Sequence, residues 1–454
     1  MALLIVALLV LGVSFFVPSM TSTSELKAEV KAAVDAKNAL ANSNNSENPG
    51  EGKVLGSTSI SPGENSEGEK LVTHVLPPKA VKAVYMTSWV AGTPKLRNKI
   101  IDLIDKTELN AVVIDIKDDT GKVSFVTNSP VVNDVGCTEN RIRDIGPLLK
   151  ELHDKNIYVI GRIATFQDPC LVKKHPDSAV KRKSDGGIWK DRKGLTWMDA
   201  GAEYVWDYNI NIARASHELG FDEINFDYIR YPTDGNMSDI SFPVSGTRAK
   251  ADTLGVFFKH IDKELRGGRA SSSSDPVFDE LVKEYGMDLG TTSASLADTS
   301  HDGQRVETTI YDMPRPIISA DLFGLVTNNT DDMGIGQVLI RAAPYVDFIG
   351  PMVYPSHYPN TFIGYKNPAA YPYQIVSHAM KGGVKQLRGI GLNPIKLRPW
   401  LQDFNLGATY TADMVRKQIQ ATYDSGLTSW MIWDASNTYT VGGALNIREF
   451  VAAE

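Results

Sequence analysis

The chain has 454 residues, is 42% hydrophobic and 22% charged, and carries a net charge of −7. That composition supports one large core or two smaller ones and excludes a wholly disordered chain or a nucleic-acid footprint resting on net basic charge. The two cysteines, Cys137 and Cys170, lack the Cys-x-x-Cys spacing of a zinc site.

In chain order, residues 3–17 form an apolar run interrupted only by Gly12 and Ser14. The run suits the core of a signal peptide, with an uncleaved membrane anchor through residues 2–17 as the alternative, and segment 1–20 takes one role or the other. Both imply export, to the cell surface or the extracellular space. Residues 42–70 are rich in Ser, Asn, Gly and Glu and cannot bury a core, so 21–78 read as a low-complexity, disordered tether. In an exported chain a Cys137–Cys170 disulfide is one expectation, and two unrelated thiols are the other.

From residue 79 to 454, β-branched apolar runs alternate with helical patterns. Strands are expected at 81–90, 111–117, 158–165, 223–228, 317–323, 347–354, 397–402 and 429–433. Helical periodicity falls at 94–109, 141–155, 202–219, 244–265, 336–345, 373–386, 412–425 and 443–453. Gly220 follows the third helix as a carboxyl cap. Eight strand–helix units predict an α/β fold, a (β/α)8 TIM barrel. A doubly wound open sheet is the alternative, weakened by the missing Gly-x-Gly-x-x-Gly turn after the first strand. Segment 267–313 breaks the rhythm and is expected to be a flexible insertion between helix 4 and strand 5, on the face away from the active site.

Barrel enzymes keep their chemistry at the carboxyl ends of the strands. On the fourth strand, Ile224, Phe226 and Tyr228 alternate with Asn225 and Asp227, so a period of two turns both polar residues inward. Asp115 and Lys117 share the inward face of the second strand by the same count. Arg162 lies on the third and Asp321 on the fifth. Arg230, Tyr354, Gln402, Trp433 and Asp434 stand at or just beyond strand ends. Carboxylates, cations and aromatic rings at one mouth suit a sugar, with apolar faces and hydroxyl edges. An internal salt-bridge network is the competing account of each charged residue. The histidines are scattered, so no metal and no cofactor are expected and metal-dependent deacetylation is a poor fit.

The segments 84–92, 110–118, 226–232, 319–324, 351–357 and 398–404 resemble a bacterial glycosyl hydrolase domain family of unknown function, over about residues 80–454. The resemblance implies a barrel and carbohydrate chemistry. A more distant similarity to the chitinase barrels pairs their Asp-x-x-Asp-x-Asp-x-Glu strand with Asp222, Asn225, Asp227 and Ile229, which leaves Ile229 at the position of the acid. The α-amylase-like arrangement is the nearer analogy and implies Asp227 as nucleophile or base and Asp321 as acid, with Asp115, Lys117, Arg162, Arg230, Tyr354, Gln402, Trp433 and Asp434 orienting sugar. The function expected is an exported or surface-tethered glycoside hydrolase acting on a polysaccharide. A catalytically inactive barrel that binds cell-wall glycan is the alternative.

Overall fold

Eight parallel strands close into a barrel: β1 (Lys82–Met86), β2 (Ala111–Lys117), β3 (Tyr158–Ala164), β4 (Glu223–Asp227), β5 (Ile317–Phe323), β6 (Phe348–Met352), β7 (Trp400–Gln402) and β8 (Trp430–Trp433). Each pairs with its sequence neighbours, and β1 pairs with β8 to complete the ring. The structure is a computed structural model, and it describes residues 72, 74–268 and 315–448. The 1–20 segment, nearly all of the tether and the core of the insertion lie outside the described residues. Among the described residues no helix is long and apolar enough to cross a membrane.

The strand register follows the alternation. Val81, Ala83, Tyr85, Ala111, Val113, Tyr158, Ile160, Trp400 and Met431 form the inner cluster. Val84, Val112, Ile114, Val159, Ile224 and Phe226 face the helix layer. The helices that return the chain between successive strands are α1 (Pro94–Lys106), α2 (Ile145–Asp154), α3 (Glu203–Leu219), α4 (Lys250–Arg266), α5 (Leu339–Ala342), α6 (Pro372–Gly389) and α7 (Ala412–Tyr423), and shorter helices at Ser88–Ala91, Pro130–Val135 and Pro169–Lys174 lie in the loops. Their buried residues keep the three-to-four spacing of a single apolar stripe: Ile145, Leu148, Leu149 and Leu152 in α2, and Leu254, Phe257, Phe258, Ile261 and Leu265 in α4. Gly220 ends α3 with φ of 114°, a left-handed conformation that costs glycine little.

One expectation needs correction, and one feature went unforeseen. No helix forms over 443–448, where turns and isolated bridges replace it, one joining Thr107 to Ile447. The rest of that segment lies outside the described residues. The connections after β3 and β4 also hold structure that the periodicity did not reveal. Lys181–Arg182 pairs antiparallel with Ile240–Ser241, so a short ribbon zips the two loops together on the side of the barrel where the strands end. Two-residue strands leave almost no periodic signal. In the connections after β2 and β3, Cys137 and Cys170 form a disulfide with Cα atoms 5.9 Å apart.

Candidate active site

Three inward residues of β4 divide the barrel interior into levels. At the amino-terminal end, the Glu223 carboxylate takes a hydrogen bond from the Tyr158 hydroxyl at 2.9 Å and pairs with Arg398 at 2.7 Å. All three side chains are buried. Asn225 lies one level up and Asp227 one further, at the mouth. Neighbouring strands bring Ser319 level with Asn225, and Asp115 level with Arg162.

Arg162 organises the upper level. Its Nη1 donates to Asp115 Oδ1 at 2.7 Å, and its Nε and Nη2 donate to Asp227 Oδ2 at 2.9 and 2.5 Å. The Tyr85 hydroxyl donates to Asp115 Oδ2 at 2.5 Å, and the Tyr228 backbone N–H donates to Asp227 Oδ1 at 2.6 Å. Burial works against the guanidinium charge, but Asp227 and Asp115 outweigh it and hold Arg162 well above its ordinary pKa. Burial lifts the Asp115 carboxyl, with Arg162 and Tyr85 opposing.

Asp321 sits beside this network. Its Oδ1 accepts from Asn225 Nδ2 at 3.0 Å and from Trp400 Nε1 at 2.8 Å. Asn225 Nδ2 also lies 3.0 Å from Ser319 Oγ. Burial, and then the charge of Asp227, push the Asp321 carboxyl well above the usual carboxylate range. Gly350 makes room for this arrangement, since a Cβ there would lie 2.4 Å from Asp321 Oδ1 and 3.1 Å from Trp400 Nε1.

The walls are aromatic. Trp433 stacks on Tyr85 with ring centroids 3.9 Å apart, and the Arg162 guanidinium lies 5.2 Å from the Trp433 ring. Tyr354 is buried, flanked by Phe404 and His357 at 5.5 and 5.3 Å. Tyr228, just past Asp227, has φ of 53°, a left-handed conformation that is strained for an aromatic residue. Its ring lies between two cations, 5.8 Å from Arg162 and 5.6 Å from Arg230.

Asp115, Arg162, Asp227, Asp321, Tyr354 and Trp433 are thus brought together. Lys117 is not. The β2–β3 register shifts between Asp115 and Lys117, which breaks the alternation that predicted an inward side chain. Lys117 instead pairs with Asp168 at 2.6 Å, with both side chains at zero exposure, and its Nζ lies 5.5 Å from the Tyr208 ring of α3. Gly121, with φ of 76°, lets the chain pass this pair, since a Cβ there would lie 1.9 Å from Asp168 Oδ1.

The remaining polar residues anchor loops. Gln402 accepts from the Ser356 N–H at 3.1 Å and donates to the Phe404 carbonyl at 2.8 Å. Asp434 accepts from the Ser436 N–H at 2.6 Å. Arg230 lies 4.8 Å from the Trp197 ring. Ile229 is fully buried in the outer apolar cluster, far in character from a catalytic acid.

Sequence reading passed over several members. Tyr85 was legible as the inward residue two beyond Ala83, but nothing in the sequence points to its bond with Asp115. Trp400 reads as ordinary barrel filling. Asp119, beyond the end of β2, is lifted by burial and then by Asp118. Asp403 is pushed up to about 6 by burial, and its Oδ2 accepts from the Thr440 N–H at 2.7 Å. Among the described residues no cluster of three or more His, Cys, Asp or Glu is placed to hold a metal ion.

A closed (β/α)8 barrel with carboxylates, an arginine and aromatic rings at its mouth is the architecture of a glycosyl hydrolase-like domain. Residues 83–300 and 308–439 match the model of the family described as "Putative glycosyl hydrolase domain", and the chain belongs to that family. No curated protein matches the chain in sequence. A hypothetical protein from Ruminiclostridium thermocellum ATCC 27405 is 40% identical over 39% of this chain and 90% of its own, with a TM-score of 0.36. The spore cortex-lytic enzyme SleL of Bacillus megaterium QM B1551 is 11% identical over 90% of this chain and 81% of its own, with a TM-score of 0.41. The α-galactosidase TtGalA of Thermus thermophilus is 12% identical over 82% of this chain and 61% of its own, with a TM-score of 0.41.

Proposed function

We propose that this barrel is a glycoside hydrolase that cleaves a polysaccharide outside the cytoplasm, with Asp227 as nucleophile or base and Asp321 as general acid. One observation carries the reading: two carboxyl groups share the mouth in opposed environments. Asp227 is paired with Arg162, while Asp321 is buried among neutral donors and lifted by the charge of Asp227. A carboxyl group held above the usual range keeps the proton that a general acid must give, while a carboxylate beside a guanidinium is placed to act as nucleophile or base. Asp321 protonates the leaving glycosidic oxygen. Asp227 attacks the anomeric carbon or activates water against it. If Asp227 becomes covalently bound, its charge is consumed and the repulsion that lifts Asp321 falls. Asp321, having given its proton to the leaving group, is then more stable as a carboxylate and takes a proton from the attacking water in the second half of the reaction.

Export is supported by the apolar run at residues 3–17 and by the Cys137–Cys170 disulfide, since disulfides persist in oxidising compartments. A second reading, a barrel that binds glycan without cleaving it, is favoured by one detail. Both Asp227 oxygens already have donors, two from Arg162 on Oδ2 and the Tyr228 N–H on Oδ1. Release of reducing ends from a panel of cell-wall and storage glycans separates the two. For a hydrolase, Asp227→Asn and Asp321→Asn each lower turnover by at least about 100-fold while glycan binding persists. Wild-type protein that binds a glycan but cleaves none supports the binding barrel. Undiminished turnover in both variants removes the pair from the mechanism.

A further inference from the structure

Arg230 has an unusual position among the cations of the barrel. Arg162, Lys117 and Arg398 each pair with a buried carboxylate. Among the described residues Arg230 forms no ion pair, and its Nη1 donates to the Tyr231 carbonyl at 3.3 Å. Its guanidinium is held by rings instead, over Trp197 and Tyr228. That platform is itself fixed. Trp197 is fully buried and donates from Nε1 to Asp191 Oδ2 at 3.2 Å, and Tyr228 follows Asp227 directly. An arginine stacked on aromatic faces keeps its fork of donors pre-arranged for a planar or tetrahedral oxyanion.

The loop that supplies the platform is strongly basic, although the whole chain is acidic. Residues 181–193 hold six cations (Lys181, Arg182, Lys183, Lys190, Arg192, Lys193) against two anions (Asp185, Asp191). Arg182 pairs with Asp185. Lys183, Lys190, Arg192 and Lys193 are exposed and form no ion pair among the described residues. Lys193 acts electrostatically on Asp119 beyond the end of β2, so the charge of this loop reaches the mouth.

Resting on the glycosidase reading above, we infer that the bound polymer is an acidic glycan, whose carboxylate or phosphate is received by Arg230 and whose approach is guided by the basic 181–193 loop. Asp227, Asp234 and Asp191 act on Arg230 only from a distance, so a neutral glycan gives it no direct counter-charge and gains nothing from the loop. Carboxylate and phosphate share the same recognition chemistry, so the source of the anion is decided by the experiment.

The test is equilibrium binding of the full-length protein to four probes at neutral pH, in low and in raised salt. They are an oligogalacturonate, a poly(glycerol phosphate), a neutral cello-oligosaccharide and single-stranded DNA. One of the two acidic glycans is expected to bind at least about tenfold more tightly than the neutral chain. That preference should shrink as salt screens the loop. Arg230→Gln should weaken binding of the acidic chain by about tenfold to a hundredfold and abolish its preference over the neutral chain. Because Arg230 packs on Trp197, its melting curve is compared with wild type. The exposed double variant Lys190→Gln/Lys193→Gln supplies a second reading free of packing, with weaker acidic-chain binding and a flatter salt dependence. Neutral-chain binding equal to or tighter than acidic, an Arg230→Gln affinity equal to wild type, or binding of DNA alone each overturns the inference. Cleavage of a neutral glycan at least as fast as that of either acidic chain also overturns it and leaves the hydrolase standing. Acidic-chain binding lost in Arg230→Gln, without cleavage of any glycan, keeps the inference and removes the hydrolase.

Discussion

Replacing Asp321 by asparagine should make the protein relatively more stable as pH rises. In the native barrel the carboxyl is lifted well above its ordinary value, by burial first and the Asp227 charge second. In the unfolded chain it titrates near its reference value of about 3.9. Between those two values the folded state holds a proton that the unfolded state has lost, so wild-type stability falls as pH rises. The slope approaches about 1.4 kcal/mol per pH unit and levels off above the folded value. Below about pH 3.9 both states are protonated and the term vanishes. Asparagine keeps an oxygen for the bonds now made by Asn225 and Trp400 and carries no such proton. Urea midpoints of wild type and Asp321→Asn, taken from about pH 4 to about pH 8, should therefore diverge in favour of the variant. In an Asp227→Asn background the same comparison should diverge over a narrower span, because the second source of the shift is gone. A stability difference that does not change with pH, or one that turns against Asp321→Asn as pH rises, would refute a raised carboxyl at this position.

Three further outcomes can be measured by denaturation. Arg162→Met strands Asp115 and Asp227 in the barrel and should cost about 3–5 kcal/mol, measured by urea unfolding. Gly350→Ala forces a methyl into the space of the Asp321–Trp400 bond and should cost about 1–3 kcal/mol in the same assay, whereas Gly389→Ala, with open space around it, should cost no more than a few tenths. Opening the disulfide with Cys137→Ser/Cys170→Ser frees a loop of sequence separation 33 and should lower stability by about 3–4 kcal/mol, and a loss below about 1 kcal/mol would mean the unfolded chain is already constrained there.

Much of the barrel was legible from periodicity. The expected runs at 111–117 and 317–323 match β2 and β5, because a strand buried on both sides is a continuous apolar run bounded by turn residues. The inward setting of Asn225 and Asp227 followed from a period of two. Strand ends were less clear: 81–90 shortened to Lys82–Met86, and 397–402 to Trp400–Gln402. At the first, Thr87 caps a short helix over Ser88–Ala91 and takes the chain out of the ladder, and at the second Pro399 has no N–H to give to one.

What local pattern cannot carry is partnership between distant residues. One irregular step between Asp115 and Lys117 sends the lysine to Asp168, 51 positions away, and no count of alternation foresees it. The same holds for Asp321 and Trp400, 79 positions apart in sequence and 2.8 Å apart in space, with Gly350 making the room. Alternation and apolar spacing are properties of neighbours along the chain, and they set which residues face inward. Which carboxylate meets which cation, and hence which one holds a proton, depends on burial and on charges brought together by barrel closure. Those quantities exist only once the eight strands have met.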